Sequence, residues 1–212
     1  FVSMARNLVA GGLGTAVIRL GWEFNLPYYR WSVASAADAA DFATAWRQIV
    51  TAIRGVPGER FSFDWSPSLS PAGINPALAY PGNRYVSDIG LDVYDWSEVP
   101  GENAAQRWDG LVGTGYGLQW QATFAASRGK PVAFAEWGLV YASYAPGYYG
   151  GDDPLFVQNM YNWFRTHNTA FEDYFDSDTS YGLDAGLNTP NDEFPVSADI
   201  YVAGYSSLQY GG

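Results

Sequence analysis

The stretch Ala16-Val17-Ile18-Arg19-Leu20-Gly21-Trp22-Glu23-Phe24-Asn25 reads as a buried strand that runs into a carboxylate. A second stretch, Pro131-Val132-Ala133-Phe134-Ala135-Glu136-Trp137-Gly138, does the same at Glu136. A carboxylate is costly to bury unless it is paired, hydrogen-bonded or used. Barrels of alternating strands and helices keep their catalytic groups at strand ends of this kind. Two such acids on separate strands, each beside tryptophan, point to the carboxylate pair of glycoside hydrolysis.

Outward from these strands the pattern alternates strand and helix, the signature of parallel α/β architecture. The spacing predicts a helix over 2–10, closed by Gly11-Gly12, and a strand over 15–24. Ser35 is a candidate N-cap for a helix over 36–54, where Phe42, Trp46, Ile49, Val50 and Ile53 recur on one face. Strands are expected over 61–65, 86–94, 131–136 and 169–175. Helices are expected over 103–127, weakly interrupted at Gly113, Gly115 and Gly117, from Asp152-Asp153-Pro154 to about Arg165, and over 196–208. His167 is expected to end its helix.

No repeat or linker divides the chain, so residues 1–212 read as one catalytic domain. The fold class is a (β/α)8 TIM-type barrel of which about five βα units are evident. A complete barrel has eight strands in about 250 residues. Opening in a helix at Phe1, the chain reads as the part of a barrel that follows its first strands, an incomplete barrel with exposed strand edges.

Composition narrows the chemistry. The net charge of −11 repels a phosphate backbone and argues against nucleic acid. No apolar run approaches the roughly 18 residues of a membrane span, and no signal peptide is visible. Zero cysteines exclude disulfides and thiol chemistry, and the single histidine, His167, removes most His-based triads and zinc sites. Carboxylate chemistry remains, with neither cofactor nor metal expected. Asp64, Asp92 and Asp95 are a conceivable oxygen-ligand set, but they follow no calcium-loop spacing. Aromatics make up 17% of the chain, and many sit beside Gly and Pro on loops, as in Pro27-Tyr28-Tyr29-Arg30-Trp31 and Pro146-Gly147-Tyr148-Tyr149-Gly150. Such rings either pack the loops or offer faces to sugars.

Glu23 and Glu136 lie 113 residues apart, roughly three βα units, so a closed barrel can bring them together across its mouth. A retaining glycosidase needs its two carboxyl groups about 5–5.5 Å apart. Arg19 and Tyr94 are candidate donors to an ionised nucleophile.

Val17-Ile18-Arg19-Leu20-Gly21-Trp22-Glu23-Phe24-Asn25 resembles the fourth-strand motif of glycoside hydrolase family 26, a retaining family of (β/α)8 barrels. Lys130 to Gly138 resembles its seventh-strand motif, and Tyr85-Val86-Ser87-Asp88-Ile89-Gly90-Leu91-Asp92-Val93-Tyr94 its sixth strand. Gly150 to Pro154, Tyr174-Phe175-Asp176 and Phe194-Pro195 are similar to actinobacterial-type members. The resemblance runs over about residues 1–208. It implies Glu23 as acid/base, Glu136 as nucleophile and Tyr94 as its partner, with Arg19, Trp22 and Asn25 in or beside the sugar site. Trp65, Trp96 and Trp137 complete the candidate substrate-binding set. The implied substrate is a polysaccharide or oligosaccharide, foremost β-1,4-mannan, and the implied location is extracellular. Where well-studied mannanases of the family have histidine before the acid/base, this chain has Trp22.

Other readings stay open. The two glutamates can be structural acids satisfied by Arg19 or backbone donors, and Arg19 can be purely an ion-pair partner. A same-clan β-glucanase or β-xylanase, a non-catalytic carbohydrate-binding protein and an inactive barrel fragment all fit the pattern.

Overall fold

The structure, a computed structural model, describes residues 1–70, 73–177, 183–187 and 194–206. Its frame is one parallel sheet. Strands β1 (Val17–Arg19), β2 (Ser62–Trp65), β3 (Asp88–Gly90) and β5 (Val132–Gly138) pair in that order, β4 (Val93–Tyr94) pairs the far end of β5, and β7 (Thr169–Tyr174) pairs its other side. Because β3 and β4 both lie against β5, they are two halves of one strand position, parted at Leu91-Asp92. Five strand positions result, as the sequence predicts. β6 (Tyr141–Ala142) and β8 (Leu183–Asp184) form a small antiparallel pair that the sequence pattern does not announce.

Helices α1 (Val2–Ala10), α2 (Ala36–Arg54), α3 (Ala104–Gly113), α4 (Leu118–Arg128), α5 (Pro154–Thr166) and α6 (Pro195–Ser206) complete a curled half-barrel. Residues 207 and 208 of the expected last helix lie outside the described residues. The starts follow local chemistry. Ser35 Oγ accepts from the Asp38 N–H at 3.1 Å, Asn103 and Gln106 cap α3 reciprocally, and Asp153 accepts from Leu155 and Phe156 N–H ahead of Pro154. On α2, Ala39, Ala43, Trp46, Val50 and Ile53 are buried at helical spacing, whereas Phe42 and Ile49 are only partly covered. His167 caps α5 and stacks on Trp163 with centroids 3.9 Å apart. Among the described residues no helix is long and apolar enough to cross a membrane.

The expected strand over 15–24 shortens to Val17–Arg19 because Gly21 and Glu23 take φ of 52° and 50°. That left-handed region breaks a ladder, and it is strained for a glutamate.

Two tryptophans on the sugar-site roster belong to the core instead. Trp65 follows Asp64 and Trp137 follows Glu136, and successive strand side chains face opposite ways. Trp65 packs between Phe24, Tyr80 and Phe124, and Trp137 between Phe156, Phe164 and Tyr174. Both are 0% exposed, so neither offers a face to a ligand.

The opposite face of the sheet is tight and polar. A Cβ at Gly90 would collide with Asp64 Oδ1 and lie 2.6 Å from the Ser66 Cβ. Gly90→Ala is therefore expected to cost about 1–3 kcal/mol through overpacking, read as a lower denaturation midpoint; an unchanged midpoint would contradict this packing.

Candidate active site

Arg19, at the end of β1, is the hub of the inner face. Its Nη1 donates to Glu136 Oε2 at 3.2 Å and its Nη2 to Ser66 Oγ at 3.3 Å and to Asp92 Oδ2. Its Nε lies 3.6 Å from Asp64 Oδ2. Ser66 Oγ in turn donates to Asp92 Oδ1 at 3.2 Å. One guanidinium thus joins groups from four neighbouring strand positions. Burial disfavours its charge, but Asp92, Asp64 and Glu136 outweigh that and leave its pKa raised.

The sequence resemblance brings Glu136 and Tyr94 together, and so does the structure. The Tyr94 hydroxyl donates to Glu136 Oε1 at 2.6 Å. Burial, then the charge and hydrogen bond of Glu136, push the Tyr94 phenol far above its ordinary range, so it stays a donor. Glu136 has both carboxylate oxygens engaged and remains partly exposed.

A local irregularity in β5 aims it. Between Phe134 and Trp137 the strand takes three steps while β7 takes two, from Glu172 to Tyr174. Phe134 and Trp137 both contact Phe164 on the helix side. The extra residue lets Glu136 turn to the inner face, the kind of re-aiming that bulges provide beside active sites.

Glu23 sits on the turn after β1. Its N–H donates to the Ser66 carbonyl at 2.8 Å, and its Oε2 accepts from the Tyr29 hydroxyl at 2.7 Å. Burial, followed by the bond to Glu23, pushes the Tyr29 phenol up to about 12. The charges of Glu23 and Glu136 both act on Asp92, Tyr94 and Tyr29, so the two acids share one electrostatic field.

The other candidates divide. Trp22 packs on Trp31 with centroids at 4.8 Å and on Tyr29 at 5.9 Å, beside Glu23 and under the Arg19 guanidinium. Asn25 exchanges two 2.8 Å hydrogen bonds with the Ser68 backbone, tying together the loops that follow β1 and β2. Trp96 is half-buried beside a groove next to Tyr94. The acids weighed as a metal set split between two arginines, Asp64 and Asp92 on Arg19 and Asp95 on Arg107. Among the described residues no cluster fit for a metal ion is present. Ser66 is a site residue that the sequence pattern does not single out, and Tyr29, read from the sequence only as a loop aromatic for packing or sugar contact, instead bonds Glu23 across a turn.

No protein-family model and no curated protein matches the chain. Solved structures do. A β-mannanase of glycoside hydrolase family 26 from Bacteroides ovatus superposes with a TM-score of 0.64 at 18% identity, over 91% of this chain and 50% of that one. A modular endo-β-1,4-mannanase from Cellulomonas fimi gives 0.63 at 22%, over 92% and 41%, and a Bacillus subtilis mannanase 0.58 at 17%, over 93% and 49%. The chain has the fold of part of the family 26 barrel. It spans about half the length of these structures or less.

Two measurements probe the site. Tyr94→Phe removes a hydrogen bond to a charged group, worth about 1.5–3 kcal/mol. The expected result is a melting temperature lower by several degrees and a 10- to 100-fold fall in kcat/KM on an accepted substrate. The second concerns pH. Asp64 and Asp88 are in-register neighbours on β2 and β3 and nearly fully buried. Burial raises both, and the charge of Asp88 adds to the rise at Asp64. Asp92 is raised by burial against the pull of Arg19, and Asp95 reaches about 7 by burial against the pull of Arg107. Folded-state values above the unfolded ones mean the native chain holds more protons, so this stability is complete below about pH 4 and is lost as pH rises through the folded values. Melting temperature should fall from pH 5 to pH 8, and Asp88→Asn should flatten the slope; a rising profile would contradict the upward shift of these carboxyls.

Proposed function

We propose that this chain is the catalytic part of a retaining, endo-acting β-glycoside hydrolase of the family 26 type. Residues 1–212 are read as one domain acting on β-1,4-mannan, with Trp22 in place of histidine keeping mixed-linkage β-glucan and β-xylan as alternative substrates. The observation that carries the reading is the pair itself. Glu136 and Glu23 are partly exposed and come from distant parts of the chain; each is held by a tyrosine hydroxyl, and the charges of both reach Asp92, the carboxylate that Arg19 shares with Glu136.

In this mechanism Glu136 attacks the anomeric carbon while Glu23 gives its proton to the leaving oxygen. The resulting glycosyl ester is opened by water that Glu23, now a base, deprotonates. Tyr94 and Arg19 keep the Glu136 carboxylate oriented, and the pair stabilises the oxocarbenium-like transition state. No cofactor takes part. The proposed setting is extracellular, where such polysaccharides are met.

The test is reducing-end release from mannan, β-xylan and mixed-linkage β-glucan. Glu136→Ala should abolish release, and Glu23→Ala should slow it by about 10²–10⁴-fold, the usual weight of general acid–base catalysis. Exogenous azide should restore turnover of an activated aryl glycoside by Glu23→Ala, with a β-glycosyl azide as product. Undiminished release by Glu136→Ala would refute the assignment. Glycan binding by the native chain without release would favour a non-catalytic sugar-binding protein.

A further inference from the structure

A buried ion cluster that the proposed chemistry does not use lies just beyond Tyr94. Arg107 of α3 donates from Nε to Asp95 Oδ1 at 2.9 Å, and from Nη2 to Asp95 Oδ2 at 3.3 Å and Asp153 Oδ2 at 2.6 Å. Its Nη1 donates to the Glu102 carbonyl at 2.7 Å. Asp95 and Asp153 are 1% and 4% exposed. The Gly150 backbone closes on the cluster so tightly that a Cβ there would overlap Asp95 Oδ2 and lie 2.6 Å from Arg107 Nη2.

Buried ion pairs add little net stability over apolar packing, so what this one holds in place is the more informative question. It holds two loops together. Ser97 N–H donates to the Tyr148 carbonyl at 2.8 Å, Gly101 N–H to Gly147 at 2.9 Å and Gly150 N–H to Asp95 at 3.2 Å. These contacts bridge Trp96 to Tyr149. With Leu26, Tyr28, Leu69 and Tyr94, those two rings line a groove of about 430 Å³ that begins at the tyrosine bound to Glu136. The volume is within the range of small-ligand sites, about 300–1,000 Å³. Aromatic walls with phenolic tips suit the apolar face and hydroxyl rim of a sugar ring.

We propose that Arg107, Asp95 and Asp153 are positioning residues that hold Trp96 and Tyr149 as the wall of a sugar-binding subsite adjoining the catalytic pair. The subsite half of this inference rests on the glycosidase reading; the clasp between the loops does not. The cluster acts on binding of substrates long enough to fill the groove and leaves bond cleavage alone.

The experiment compares mannohexaose with nitrophenyl β-mannoside, whose single sugar cannot reach along the groove. Arg107→Lys keeps the charge but loses the planar fork, and Asp95→Asn keeps the shape. Each is expected to raise KM for mannohexaose about tenfold, roughly one aromatic contact, with kcat and aryl mannoside turnover kept. Trp96→Ala should match that loss, and its combination with Arg107→Lys should add nothing further. Equal losses on both substrates, or none on mannohexaose, would overturn the subsite. Hydrogen exchange at the amides of Ser97, Gly101 and Gly150 reads the clasp without any substrate. It should accelerate in Arg107→Lys while α4 stays protected, and unchanged rates would overturn the clasp. If the native chain turns over neither mannoside but cleaves β-glucan or β-xylan, the same variants are compared on an oligosaccharide of that glycan; if it cleaves none of the three, the glycosidase reading and the subsite fall together, and exchange still decides the clasp.

Discussion

The Arg19 guanidinium is the interaction on which the inner face depends. Asp64, Asp92 and Glu136 converge on it from three other strand positions, two of them with side chains shut off from water. Carboxylates packed this closely repel one another, and burial adds a desolvation cost to each. A fixed, delocalised cation with several donors offsets both at once, which an ammonium on a flexible stem would do less well. Removing one partner from such a cluster costs far more than the cluster contributes, since the remaining charges stay buried and uncompensated. The cluster is therefore weak evidence of stability and better evidence of use. Among its carboxylates only Glu136 is partly exposed, and it is the group that the proposed chemistry needs ionised and immobile.

The same inner face explains the backbone around it. Gly90 leaves room for Asp64 and Ser66. The Ser66 carbonyl receives the N–H of Glu23, which holds an unusual left-handed glutamate in place. Strain of that kind persists only where the surroundings over-determine it, and here the turn is fastened by Asn25 to Ser68, by Trp31 to the Trp22 carbonyl and by Tyr29 to the Glu23 carboxylate. The aromatic stack of Trp22, Tyr29 and Trp31 fills the outside of the turn.

Legibility followed the range of the forces. The helices were readable because caps, prolines and apolar spacing act within a few residues; Ser35, Asn103 and Asp153 each begin their helix through contacts made within three residues. Strand ends were less readable. The stretch 86–94 is apolar enough for one strand, yet it parts at Leu91-Asp92, where Asp92 turns to Arg19. Trp65 and Trp137, the latter because it follows the candidate nucleophile, were expected at the sugar site, but strand alternation sends each ring to the opposite face from the acid before it.

What the sequence by itself determined is the alternation of strands and helices, the five strand positions, the absence of thiol chemistry and the two acids worth attention. Those follow from composition and short-range pattern. The tertiary structure decided which side each group faces and what it touches. Strict alternation from Phe134 would have put Glu136 on the helix side, and only the extra residue between Phe134 and Trp137, measured against β7, turns it to Arg19 and Tyr94. Tyr29 reaches Glu23, and Arg107 gathers Asp95 and Asp153, across distances that no local pattern encodes. The physical reason is the same in each case: direction and pairing on a sheet are properties of neighbouring strands, and one chain segment read alone has no neighbours.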